Sequence, residues 1–115
     1  IAEYAGHFLA AADRYGLDWR LLPAIAIVEW SGGKRYVRHN IFGWNSCETG
    51  FPSIQAGIFY VASRLAETEL YRSKDLAGLL GTYNPFPGYP ARVRYWMRVL
   101  SRAGFIATTS FAYSG

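Results

Sequence analysis

The sequence predicts a mainly α fold, about five helices around a buried central one, with a loop or small hairpin lobe beside them. Three observations carry that expectation. Apolar residues recur at helical spacing in several separate segments. The run Leu21–Val28 is apolar nearly all round, as suits a helix passing through the middle of a domain. Only the short pieces "RYV" and "IFGW" offer extended candidates.

Taken in order, residues 2–15 place Tyr4, Phe8, Ala11, Ala12 and Tyr15 on one face of an amphipathic helix, and Gly16 ends it. Asp18 is expected to cap a second helix, Trp19 to about Trp30, with Pro23 accommodated in its first turns. From Ser31 to Pro52 the pattern gives way to Gly, Asn, Ser, Thr and isolated aromatics, which reads as a long loop with a small hairpin. Ser53 then caps a third helix with Ile54, Ile58, Val61, Ala62 and Leu65 on one stripe.

A shorter helix is expected over Asp75 to Gly81, followed by the turn-rich loop "TYNPFPGYP" at residues 82–90. Pro90 opens a last helix whose inner face is Val93, Trp96, Met97 and Leu100. Arg92, Arg94, Arg98 and Arg102 fall mostly off that stripe and read as a solvated face. The tail after Gly104 has no helical period and is expected to lie extended.

Composition narrows the function classes. A chain of 115 residues suffices for one domain, 1–115, burying about two thirds of its unfolded surface. With 51% hydrophobic and 17% aromatic residues it is too apolar to be disordered. A net charge of +4 suits an anionic partner: nucleic acid, anionic lipid or a bacterial wall polymer. No nucleic-acid motif is present, so nucleic acid is not the expected partner. Cys47 is the single cysteine, so no internal disulfide forms, and no histidine or cysteine set suggests a metal; no cofactor is expected. The longest apolar run is far short of the ~20 residues that cross a bilayer, so no transmembrane segment is expected. The chain begins at Ile1 rather than Met, which reads as a trimmed or processed start with any export signal ahead of it.

The candidate site begins at "IVEWSGGK", Ile27 to Lys34. Glu29 follows Ile25 by four residues and Leu22 by seven, so a helix points all three the same way, into apolar surroundings. Withdrawing a carboxylate from water disfavours its charge, and an acid that keeps its proton can donate it to a leaving oxygen. The alternative is a Glu29 that leaves the helix end to pair with Lys34 or Arg35 in solvent. Gly32 and Gly33 favour a sharp turn that opens the helix end onto a surface.

The segment "YGLDWRLLPAIAIVEWSGGK", Tyr15 to Lys34, resembles lysozyme-superfamily peptidoglycan enzymes, in which a buried helix ends in a catalytic Glu before a Gly-rich turn. "HNIFGWN", His39 to Asn45, resembles the Asn-hydrophobic-Phe-Gly motif of bacterial N-acetylglucosaminidases, while "SIQAGIFYVASRL" and "TYNPFPG" resemble lytic transglycosylases. The resemblance implies a lysozyme-like fold with a cleft, and Glu29 as general acid/base. It places Tyr83 across the cleft near that carboxylate or the sugar, Asn84 as support for its loop, and Asn40 shaping or lining the substrate groove. Read from the residues alone, Tyr83 is equally a core tyrosine and Asn84 a turn former before Pro85.

Phe42 and Trp44, with Trp30 and Tyr36, either stack on sugar rings or form a small core for their own loop. Glu48 is the candidate for a second carboxylate, since two-acid hydrolysis needs one at about 5–9.5 Å from the first. "SCETG" also reads as an ordinary polar turn. The sequence departs from the transglycosylase pattern at Trp30 and Pro85, which leaves the subfamily open.

The expectation is cleavage of β-1,4 bonds in peptidoglycan, by an N-acetylglucosaminidase-like enzyme. The alternatives are a lytic transglycosylase that leaves 1,6-anhydromuramyl ends, or a lysozyme-like module that grips wall glycan without cutting it. The implied setting is bacterial, periplasmic or extracellular, with the chain acting as a monomer.

Overall fold

A carboxylate at a helix end is positioned only as well as the helix that carries it, so the second helix comes first. The computed structural model describes residues 2–31, 39–44 and 50–114, with the side chains of its last helix described up to Arg102. Helix α2 is Leu21–Ser31. Leu22, Ala24, Ile25 and Ala26 are fully buried and Leu21 and Val28 nearly so, so the helix is enclosed on every side from Leu21 to Ala26, with Ile27 half-buried. Burying each large side chain contributes about 1.5–3 kcal/mol.

The sequence reading starts this helix at Trp19, but the structure starts it at Leu21. The difference lies in the single turn from Asp18 to Leu21, closed by the Leu21 amide on Asp18 O at 3.0 Å, which Asp18 caps ahead of the regular helix. Asp18 Oδ1 accepts from the backbone N–H of Arg20 at 3.0 Å and from Arg20 Nε at 2.9 Å. Its other oxygen pairs with Arg20 Nη2 at 2.5 Å. A carboxylate that bonds the chain two residues ahead makes a turn in preference to a helix. That hydrogen-bonded guanidinium holds the Asp18 carboxyl below its usual range, and Arg20 also donates to Ser101 Oγ at 2.6 Å, tying the start of α2 to the last helix.

The first and last helices pack directly on α2. A single 3₁₀ turn, Ala2–Tyr4, leads into α1, Ala5–Tyr15, which ends at Gly16 and buries Phe8, Ala11 and Ala12. Helix α3, Ile54–Glu67, starts at Ser53, whose Oγ accepts from the Ala56 amide at 3.0 Å, and its buried residues include all five of the predicted stripe. Helix α4 is Leu76–Tyr83, capped by Asp75 accepting from Gly78 N–H at 2.8 Å. Helix α5, Tyr89–Ser114, lies against both α2 and α4, while α1 packs on α3 and α2. A radius of gyration of 13.5 Å matches the about 13 Å of a compact chain this long. The five helices form an all-α globule, with no strand among the described residues.

Two boundaries differ from expectation. Helix α4 takes in Thr82 and Tyr83, because the first proline comes at 85 and disfavours helix only from Asn84. Thr82 Oγ1 donates to the Gly78 carbonyl at 2.8 Å and the Asn84 amide reaches Leu80 O at 3.0 Å. The expected extended tail is instead a continuation of α5 to Ser114. Each residue added to an existing helix gains a hydrogen bond, and one interior glycine, Gly104, costs only about 1 kcal/mol. The expected hairpin falls partly on residues 32–38 and 45–49, outside the described residues.

The stretch from His39 to Trp44 docks on α3 where that helix has a glycine. A Cβ at Gly57 would stand 2.9 Å from Phe51 Cδ2 and 3.1 Å from the His39 carbonyl oxygen. At Gly81 in α4 nothing lies within 4 Å. Gly57→Ala should therefore destabilise by about 1–3 kcal/mol through overpacking. Gly81→Ala should stabilise by about 0.5–1 kcal/mol through helix propensity. Urea unfolding of the two variants checks both signs.

Candidate active site

Glu29 stands two residues before the end of α2, one turn beyond fully buried Ile25, and is itself half-buried. The residue that meets it is Gly43. A Cβ there would lie 2.9 Å from Glu29 Oε2 and 3.4 Å from Cδ, and φ at Gly43 is +64°. The left-handed backbone favours glycine, and any side chain there would push the carboxylate aside. The carboxylate thus lies against main chain, held between a core helix and a tight turn.

The turn itself is fixed from the core side. Ile41 and Phe42 are buried, and the Phe42 ring meets Phe8 edge-on at 6.2 Å. Asn40, 1% exposed, closes the loop on itself: its Nδ2 donates to Trp44 O at 2.8 Å and its Oδ1 accepts from the Trp44 amide at 3.0 Å. Tyr83 donates its hydroxyl to Phe42 O at 2.6 Å, joining the end of α4 to the residue beside Gly43. Trp44 packs among Tyr60, Tyr71 and Tyr83, with ring centroids 5.9–6.3 Å away.

Glu29 lines an open cleft of about 440 Å³ together with Val28, with Asn84, Phe86, Pro87 and Gly88 of the connection from α4 to α5, and with Tyr89 and Arg92 of the first turn of α5. Asn84 Oδ1 accepts from the Phe86 amide at 3.0 Å, a side-chain turn that sets the course of this connection. Tyr89 stacks on Tyr83 with centroids 6.2 Å apart and planes at 9°.

The Tyr89 hydroxyl is buried without an ideal hydrogen bond. Burial pushes its phenol well above the ordinary value, and the negative charge of Glu29 pushes it further. Glu29 also acts on this hydroxyl as a hydrogen-bond acceptor, just outside ideal geometry, so the phenol and the carboxylate form a neighbouring pair. Among the described residues no cluster of three His, Cys, Asp or Glu side chains could hold a metal ion.

The residues singled out from sequence fall into distinct places. Glu29 and Asn84 reach the cleft, and Tyr83 spends its hydroxyl on the Phe42 carbonyl. Asn40 and Phe42 are buried and Trp44 half-buried; all three build the turn that faces Glu29. Glu48, Tyr36, Lys34, Arg35, Gly32 and Gly33 lie outside the described residues.

Four positions went unread: Gly43, Phe86, Tyr89 and Arg92. A signal existed for Tyr89, four residues before Val93 and eight before Met97 and so on the inner stripe of α5. Arg92 is exposed, as the solvated-face reading of the four arginines has it, yet it also lines the cleft.

No protein-family model, curated protein or solved structure matches the chain. No helix among the described residues is long and apolar enough to cross a membrane.

Stability should carry a signature of Tyr89. A phenol whose folded-state pKa is raised leaves the folded protein with more bound protons than the unfolded chain at alkaline pH, so stability falls as pH rises above the ordinary tyrosine value of about 10. Tyr89→Phe removes that titration and a buried hydroxyl without an ideal hydrogen bond. The variant should be at least as stable as the wild type at neutral pH and unfold at higher pH on alkaline titration, as followed by circular dichroism.

Proposed function

We infer that the chain cleaves β-1,4 glycosidic bonds in the glycan strands of peptidoglycan, with Glu29 as general acid/base, in the manner of an N-acetylglucosaminidase of the lysozyme superfamily. One observation supports this most: Glu29 emerges half-buried from the end of an otherwise buried helix onto an open cleft. Half-burial disfavours a charged carboxylate, and so does the negative end of the α2 dipole. A glycosidic oxygen needs a proton from such a donor as its bond breaks.

Glu29 gives its proton to that oxygen as the bond to the anomeric carbon breaks. Among the described residues that line the cleft it is the one carboxylate. The positive charge at the anomeric carbon is then met by the carbonyl oxygen of the substrate's own N-acetyl group, an arrangement known for substrate-assisted glycosidases. The Glu29 carboxylate next takes a proton from the acceptor that opens this intermediate, water for hydrolysis or the sugar's own 6-hydroxyl for an anhydro product. Asn40, Phe42, Trp44 and Tyr83 serve by holding the turn at Gly43 in place, and Asn84 by shaping the connection from α4 to α5. Wall glycan as substrate fits a net charge of +4 and sets the work in the bacterial envelope, outside the cytoplasm.

Glu29→Gln keeps the shape and removes the transferable proton. It should lower the rate of clearing of purified bacterial cell walls by about 10²–10⁴-fold. Its melting temperature should stay near that of the wild type. Undiminished clearing rejects the role of Glu29, and mass spectrometry of the wild-type digest distinguishes reducing glucosamine ends from anhydromuramyl ones.

A further inference from the structure

The cleft that Glu29 lines carries two side chains that the fold leaves unused. Phe86 is 75% exposed, the most exposed large apolar side chain among the described residues, although it lines the cleft. Its ring packs on no other aromatic ring there. It is nonetheless firmly presented, since prolines flank it on both sides and its amide is bonded to the Asn84 side chain. Six residues on, Arg92 lines the same cleft, exposed, and its guanidinium makes no ion pair or hydrogen bond among the described residues.

An apolar ring held out in water stabilises nothing in the folded chain, and an unpaired guanidinium offers five donors in a flat fork suited to a carboxylate. Here they line one cleft together with an acid.

We propose that Phe86 and Arg92 form a sugar-binding subsite in which the Phe86 ring stacks on the apolar face of a pyranose and Arg92 pairs with a carboxylate substituent of the bound glycan. This rests on the functional reading above and adds to it: the subsite selects an acidic amino sugar, one bearing a carboxylic ether such as a lactyl group, over a neutral one. Asn84 acts as a positioning residue, holding the Phe86 backbone. Because Val28 and Glu29 line the same cleft, a sugar seated there lies near the proposed proton donor.

The test is binding without cutting. In the Glu29→Gln background, affinity is measured by calorimetry for two ligands of equal length: a β-1,4 oligomer of N-acetylglucosamine, and an oligomer alternating N-acetylglucosamine with N-acetylmuramic acid. Phe86→Ala should weaken both by about tenfold, the scale of one aromatic contact. Arg92→Gln should weaken the acidic oligomer by about tenfold, the scale of one charge-assisted pair, and leave the neutral one unchanged. Both side chains are exposed, so both variants should melt like their parent.

Unchanged affinities in both variants overturn the subsite, and leave Glu29 standing if wall clearing still depends on it. Equal losses for the two ligands in Arg92→Gln overturn the selectivity for an acidic sugar. Absence of binding to either ligand, with no wall clearing by the wild type, overturns subsite and functional reading together.

Discussion

The approach of the Gly43 main chain to the Glu29 carboxylate is the constraint from which the rest of the site follows. A helix can deliver an acid to a surface only if its body is anchored, and α2 is anchored by burial on all sides from Leu21 to Ala26. A turn can pass that acid at contact distance only if it carries no side chain and bends into the left-handed region, which is what Gly43 supplies. Everything near the turn serves its placement. Phe42 sinks into the core, Asn40 satisfies both ends of its amide within the turn, and Tyr83 reaches from α4 to the Phe42 carbonyl. At Gly57 the absence of a side chain lets the start of the same segment settle on α3.

The cleft in front of this contact brings together three kinds of polar group under different conditions. Glu29 is half-buried at the negative end of a helix, Tyr89 is buried and neutral beside it without an ideal hydrogen bond, and Arg92 is exposed and makes no ion pair among the described residues. In a fold optimised for stability alone, the phenol would be a phenylalanine and the arginine would have a partner, since an unmet buried donor costs about 1–3 kcal/mol. Such departures from the stability optimum concentrate where function demands them. Their convergence on one cleft is a stronger pointer than any of them separately.

Much of this fold was legible in the sequence because three of its helices announce themselves by period and cap. The stripe of α3 and its Ser53 cap, the stripe of α1 and its Gly16 stop, and the apolar run of α2 are local signals that the tertiary structure leaves intact. The misread boundaries are places where a side chain competes with the backbone or where helix continuation is nearly neutral. Asp18 turns back to Arg20 and delays α2, while the tail beyond Gly104 follows α5 because an existing helix extends at little cost. Glu29 was legible since its spacing from Leu22 and Ile25 is fixed by helix geometry. Phe86 and Gly43 were not, for their importance lies in what stands near them, and pairings across 14 residues or more leave no period in a chain. The aromatic loop shows the same limit from the other side: Phe42 and Trp44 read alike in sequence, yet one is core and the other half-buried among tyrosines.

The central claim is that the backbone at Gly43 holds the Glu29 carboxylate where it can transfer a proton. Measuring cell-wall clearing by Gly43→Ala, beside its melting temperature, tests this most directly. The added methyl must displace a carboxylate oxygen 2.9 Å away, and a shift of about 1 Å in a reacting group costs roughly a hundredfold in rate. The account predicts a loss of that size from a protein that still melts cooperatively, and clearing at the wild-type rate would contradict it.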